Sequence, residues 1–178
     1  MKVLSFGANF ISKANVKKHD DGKKVDTSVS FVELDENNKK DCDAIEYVSK
    51  TWGDDSYVQF IGQVKLPPEV ESKVFALTQQ KANFDNLEPD KILGVLEMHE
   101  SCGDRMINVM QVNPEDITKN KTRKFSKVGS ALISSLSKFY NHEPIRVYSA
   151  HDAVDFYKKA GFVFCRPDTY SNEMILDA

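Results

Sequence analysis

Tyr157 is the residue whose surroundings best suit chemistry. It lies in Ala150-His151-Asp152-Ala153-Val154-Asp155-Phe156-Tyr157-Lys158-Lys159-Ala160-Gly161-Phe162, where Ala153, Phe156, Tyr157 and Ala160 recur at helical spacing. Gly161 falls where a helix end takes a left-handed residue. Lys158 and Lys159 occupy the last turn, where cations suit the helix dipole. The segment therefore predicts a short amphipathic helix closed by glycine and followed by an apolar strand. A phenol, with an ordinary pKa of about 10, keeps its proton at neutral pH and can hand it to a basic leaving group. Core packing with a satisfied hydroxyl would use the same residue type.

Two other groups could act with it. Glu97 and His99 alternate on one face of an expected strand and could serve as a base, directly or through water. A solvated strand face has the same composition. Lys124-Phe125-Ser126-Lys127-Val128-Gly129-Ser130-Ala131-Leu132 leads into a helix. Backbone N–H groups at a helix start suit phosphate oxygens, and glycine permits close approach. Lys119, Lys121, Arg123, Lys124 and Lys127 make this stretch locally basic, which suits phosphates. Taken one at a time, these lysines also suit an exposed loop. No Ser-His-Asp signature, Walker loop, dinucleotide glycine pattern or metal-ligand spacing is present.

The elements that must hold these residues follow from the hydrophobic pattern. With 178 residues, 40% hydrophobic and 29% charged, the chain suits one globular domain with a sizeable core. The net charge of −3 argues against nucleic acid as a partner. Cys42, Cys102 and Cys165 are too few and too scattered for a zinc site or a disulfide framework, so a reducing cytoplasm is expected. No run is long and apolar enough to span a membrane, and the broken apolar pattern of residues 1–11 does not suit a signal peptide.

Residues 2–11 suit a first strand or an irregular extension, and residues 12–26 an exposed hairpin loop or linker. A strand is expected over 28–34. A helix follows, capped by Asp35, with Cys42, Ile45, Val48 and Trp52 on one face and Gly53 at its end. Residues 57–66 suit a second short helix stopped by Pro67-Pro68. Strands are expected over 73–80, 92–100 and 105–113, joined by short polar turns that favour antiparallel pairing. A polar segment over 114–126 precedes a helix over 127–140, with Val128, Leu132, Leu136 and Phe139 as its apolar stripe. A strand at 145–149, the Tyr157 helix, and strands at 162–165 and 173–176 complete the chain.

This order, together with the segments above, resembles the GCN5-related N-acetyltransferase (GNAT) superfamily over about residues 27 to 177. The Tyr157 segment is similar to the family's Asn-x-x-Ala-x-x-Phe/Leu-Tyr-x-x-x-Gly-Phe, with Ala150 where the family has asparagine. Ile107-Asn108-Val109-Met110-Gln111-Val112-Asn113-Pro114 resembles the family's fourth strand. The segment 124–132 resembles the pyrophosphate loop Gln/Arg-x-x-Gly-x-Gly/Ala. There Lys124 replaces the first residue, Lys127 replaces the first glycine and Gly129 matches the second. The linker from Pro114 is longer than the family's, and no carboxylate lies early on the 105–113 strand.

The resemblance implies an α/β (α+β) fold: a mixed, mostly antiparallel twisted sheet flanked by helices, with splayed central strands. Residues 1–26 would be an N-terminal extension and 27–178 the acyl-CoA N-acyltransferase-like domain. Met110, Gln111 and Val112 would bind the pantetheine arm. Val128, Gly129 and Ser130, with Lys124 and Lys127, would bind the phosphates. Tyr157 would protonate the thiolate and Glu97 would be the base. The implied activity is transfer of an acetyl group from the co-substrate acetyl-CoA to a small-molecule or peptide amine, with no metal and possible homodimerisation. The acceptor would be shaped by the two early helices and the loop over 80–90. The altered phosphate loop and the missing asparagine and base also suit a second reading, a non-catalytic module of the same fold that senses acyl-CoA or binds a protein.

Overall fold

The computed structural model describes residues 7–53, 56–63, 65–117, 122–166 and 172–177. Among these residues nine strands form one sheet in the order β6-β1-β2-β3-β4-β5-β7-β9-β8. They are β1 (Asn9–Asp20), β2 (Lys23–Leu34), β3 (Glu71–Thr78), β4 (Ile92–Ser101), β5 (Asp104–Val112), β6 (Phe125–Ser126), β7 (Ile145–Tyr148), β8 (Val163–Phe164) and β9 (Glu173–Leu176). Every pairing is antiparallel except β5 with β7. The helices are α1 (Lys39–Thr51), α2 (Val128–Phe139) and α3 (Val154–Lys159). No helix among the described residues is long and apolar enough to cross a membrane.

Strand alternation divides the apolar residues between two cores. Phe31, Phe75 and Leu77 face α2 and α3, where they meet Leu132, Leu136 and Tyr157. Val32, Ala76 and Val95 face α1 and pack with Ala44 and Val48. The central strands are buried on both faces, which is why β4 reads as a nearly continuous apolar run. Gly94 lets α2 lie close on the sheet. A Cβ at that position would stand 2.9 Å from Leu132 Cδ1 and 3.0 Å from Val128 Cγ1. The first turn of α2 is thus fixed over β4 and β5 by the absence of a side chain.

Three expectations are corrected. Residues 12–26 are not a loop: β1 and β2 pair from Asn9↔Glu33 to Asp20↔Lys23, and only Asp21-Gly22 turns. Both turn residues have positive φ, 44° and 77°, the geometry that closes a two-residue hairpin. The polar residues are strand residues because much of this hairpin faces water, so charge gave no sign of its pairing. The cap of α1 is Asn38, whose side chain accepts from the Lys40 and Asp41 N–H groups, rather than Asp35. The buried face is correspondingly Asp41, Ala44 and Val48, with Cys42 exposed. Over 57–66 the ordered helical piece is one 3-10 turn, Tyr57–Phe60, capped by Ser56. β3, β4, β5, β7, β9 and α2 stand close to their expected ranges, since their apolar patterns are regular, whereas β6 lies in the segment expected only to be polar.

Candidate functional site

A cleft of about 770 Å³ opens between β5 and β7. The two strands pair only at Met106↔Arg146 and Ile107↔Val147. Beyond that point they diverge, and the divergence begins at a bulge. Glu97 faces Val109 while Met98 faces Ile107, leaving Asn108 as the extra residue. A bulge bends its strand and raises the local twist, so β5 leaves β7 at this residue and carries Val109–Val112 along the cleft.

The backbone direction of β5 follows from one bond. The Asn113 N–H donates to Leu93 O at 2.9 Å, towards β4. In an antiparallel ladder the direction alternates residue by residue. Gln111 therefore also turns its peptide groups to β4, and Met110 and Val112 turn theirs to the cleft. Gln111 contributes its side chain instead, donating from Nε2 to Val112 O at 3.2 Å. Met110, Gln111 and Val112 all line the cleft. Such an open strand edge suits pairing with an extended amide-bearing chain.

The opposite wall is the start of α2. The first bond within the helix runs from the Ala131 N–H to Lys127 O at 2.9 Å. The N–H groups of Val128, Gly129 and Ser130 precede it and have no acceptor inside the helix. All three residues line the cleft. Gly129 has a packing reason as well, because a Cβ there would lie 3.0 Å from Phe156 Cζ of α3. The glycine thus lets α3 pack closely on the start of α2.

Lys127 stands at the helix N-cap in the left-handed region, φ 65° and ψ 14°. That conformation costs an L-residue with a Cβ about 1–2 kcal/mol, which explains why glycine suits this position. Lys127→Gly is expected to raise the urea midpoint by the equivalent of about 0.5–1 kcal/mol with an unchanged m-value. Its removal of a cleft cation should weaken phosphate-ligand binding at the same time. A lower midpoint would mean that the lysine side chain holds the loop.

The loop before α2 is anchored from two sides. Asp116 Oδ1 accepts from the Lys124 N–H at 2.9 Å and the Phe125 N–H at 2.7 Å. Burial pushes the Asp116 pKa up and these two N–H groups oppose it. On the other side β6 pairs with β1 at Lys17↔Ser126 and Lys18↔Phe125. The His19 ring meets Ser126 Oγ at 2.8 Å, and the His19 N–H donates to Lys124 O at 2.8 Å. Arg123 and Lys127 line the cleft, joined by Lys24 from β2. Lys124 points to Glu115, 3.7 Å away, with both side chains exposed. Lys119 and Lys121 lie outside the described residues.

Tyr157 lines the cleft from α3 and is 6% exposed. Edge contacts to Phe156 and Phe162, with ring centroids 5.1 and 5.2 Å away, hold its ring. Burial pushes its pKa up to about 12, because ionising a phenol in an apolar setting forfeits hydration. The phenol therefore keeps its proton at any physiological pH. Asp152 lines the same cleft, in the 3-10 turn before α3, and His151 is exposed with its Nδ1 3.2 Å from Asn172 Nδ2.

Glu97 is 2% exposed and is not among the described residues that line the cleft. Its Oε1 accepts from the Gly62 N–H and Ser72 Oγ, each at 3.1 Å, and its Oε2 from Asn108 Nδ2 at 2.5 Å. His99 Nε2 is 3.6 Å from Oε2. The carboxylate thus ties the loop after the 3-10 turn, β3, β4 and the bulge residue of β5 together. The cleft begins on the other side of Asn108, which does line it. Of the parts expected to shape an acceptor, Tyr57 of the 3-10 turn lines the cleft, and no described residue of 80–90 does.

Sequence reasoning passed over Lys24, Asn108 and Asp116 as site residues, and it read Phe156 only as part of a helical stripe. Lys24 is remote in sequence from the loop it joins, and a bulge at Asn108 leaves no mark in an alternating pattern. Asp116 could have been suspected as a polar anchor in a long linker. Among the described residues no three His, Cys, Asp or Glu side chains converge to hold a metal ion.

No family model and no curated protein matches this sequence. Solved structures do match the fold. ElaA of Escherichia coli superposes with a TM-score of 0.52 at 13% identity, covering 82% of this chain and 96% of that one. The PaiA N-acetyltransferase of Thermoplasma acidophilum, in complex with coenzyme A, gives 0.50 at 12% identity and covers 85% and 100%. The catalytic domain of the Tetrahymena GCN5 histone acetyltransferase, also with coenzyme A, gives 0.51 at 10%, covering 83% and 90%. The architecture of this chain is the GNAT fold, an α+β sheet with mostly antiparallel strands flanked by helices.

Proposed function

We propose that this chain transfers an acetyl group from acetyl-CoA to a primary amine by direct attack. The observation that carries the proposal is the cleft itself. It combines the open edge of β5, the first residues of α2, whose N–H groups have no acceptor inside the helix, and Tyr157 in one groove of about 770 Å³. The GNAT fold supports coenzyme A as the class of ligand. Met110 and Val112 pair with the amides of the pantetheine arm. Val128, Gly129 and Ser130 donate to the pyrophosphate.

The acetyl carbonyl then lies near the bulge. The amine, in its neutral form, attacks that carbonyl, and an N–H of the β5 edge donates to the developing oxyanion. As the C–S bond breaks, Tyr157 donates its hydroxyl proton to the sulfur. With its pKa near 12 it gives up the proton only as another arrives, and the proton shed by the amine is the source. Water in the cleft carries that proton. Glu97 holds Asn108 and hence the bulge, and its base role would require the amine proton to pass the Asn108 amide.

One observation favours a second reading. Among the described residues the carboxylates that line the cleft are Asp116 and Asp152, and Asp116 is engaged by two backbone N–H groups. A non-catalytic acyl-CoA sensor would need no base. Calorimetric titration with acetyl-CoA and with free coenzyme A tests the site. Saturable micromolar binding is expected, and absence of binding at millimolar ligand would remove the proposal. Binding with no acetyl transfer across a panel of amines would favour the sensor.

A further inference from the structure

We infer that the N-terminal hairpin completes the cofactor site and that Lys24 binds the 3′-phosphate of coenzyme A. This rests on the reading of the cleft as a coenzyme A site. The hairpin is held against the phosphate loop by three contacts, two of them in one antiparallel ladder. These are the β1–β6 pairing at Lys17↔Ser126 and Lys18↔Phe125, the His19 ring on Ser126 Oγ at 2.8 Å, and the His19 N–H on Lys124 O at 2.8 Å. His19 is paired across the hairpin with Lys24. Lys24 lines the same cleft as Arg123, Ser126 and Lys127. A charged hairpin turned to water would need none of these contacts.

The order of groups along the cleft selects the phosphate. The β5 edge takes the amide-bearing arm, and the N–H groups of α2 take the pyrophosphate. Chain direction then leads back from α2 through Lys127 and Ser126 of β6 to the hairpin. The phosphate that remains, farthest from the thioester, is the 3′-phosphomonoester. A phosphomonoester carries close to two negative charges at neutral pH, and it demands side-chain cations. Lysine supplies a compact charge on a flexible stem that can reach it. Lys23, one residue earlier, projects to the other side of the strand and is not among the described residues that line the cleft.

The test compares coenzyme A with dephospho-coenzyme A, which lacks only the 3′-phosphate, by calorimetry on the full chain. The wild type is expected to bind coenzyme A at least tenfold more tightly. Lys24→Ala should lose about tenfold for coenzyme A, the scale of one charge-assisted hydrogen bond. It should leave the affinity for dephospho-coenzyme A unchanged. Lys23→Ala removes the same charge and should leave both affinities unchanged. Equal losses for the two ligands in Lys24→Ala, an unchanged preference, or an equal loss in Lys23→Ala would each overturn the assignment while leaving the cleft a coenzyme A site. A wild type that binds neither ligand would overturn the cleft reading as well.

Discussion

Tyr157→Phe should lower turnover about a hundredfold and leave the dissociation constant for acetyl-CoA within about threefold. A positioned proton donor contributes on the order of 10²–10⁴ to rate, and the buried phenol sits toward the low end. On the proposed mechanism its pKa near 12 would make it a hydrogen-bond donor to the departing sulfur that passes its proton only as another arrives. The ring contacts to Phe156 and Phe162 survive the substitution, so the fold and cofactor affinity survive with them. Unchanged turnover would remove Tyr157 from the mechanism.

The same variant carries a stability signature. The folded pKa is raised above the unfolded value of about 10, so the protonated phenol is favoured by folding. That contribution is fully present below pH 10 and is lost as pH rises towards 12. It amounts to about 2–3 kcal/mol. The wild type should therefore lose more stability than Tyr157→Phe across pH 10 to 12. Denaturant midpoints measured for both proteins over that window check it, and parallel curves would mean that the hydroxyl is hydrated.

Glu97→Ala should destabilise the fold by about 4 kcal/mol. It strands three donors, the Gly62 N–H, Ser72 Oγ and Asn108 Nδ2, beside a side chain 2% exposed. Gly62 and Asn108 are exposed residues and Ser72 is half-buried, so water reaches part of each donor, and each lost bond to the carboxylate counts at about 1–1.5 kcal/mol. Against a typical total of about 5–15 kcal/mol, this is a large loss. Urea denaturation measures it, and a change under 1 kcal/mol would mean that water replaces the carboxylate.

Glu97→Gln separates position from proton transfer. It keeps the volume and one acceptor oxygen, so the bulge at Asn108 should persist. Turnover is expected to fall less than tenfold with an unchanged pH profile. A hundredfold fall in a folded protein, with loss of the acid limb, would instead make Glu97 the base.

Much of this architecture was legible in the chain before folding. The apolar stripe of α2, the alternation of β3 to β5 and the glycine after α3 report local periodicity, which a sequence carries directly. The segments at 107–114, 124–132 and 150–162 announced the cleft for the same reason, since each is contiguous. The hairpin of residues 9–34 was not legible. Its polar strand faces leave no core stripe, and the pairing partner that defines β1 is β2 on one side and β6, more than a hundred residues away, on the other.

The sequence by itself determined which residues could bind or donate, because residue type and local spacing settle that. Only the tertiary structure decided which of them meet. It engaged Glu97 with Gly62, Ser72 and Asn108 rather than in the cleft lining, and it placed Lys24 on the same cleft as Arg123 and Lys127. Both outcomes depend on strand register and on a single bulge. A one-residue change in either reverses the face that a side chain occupies.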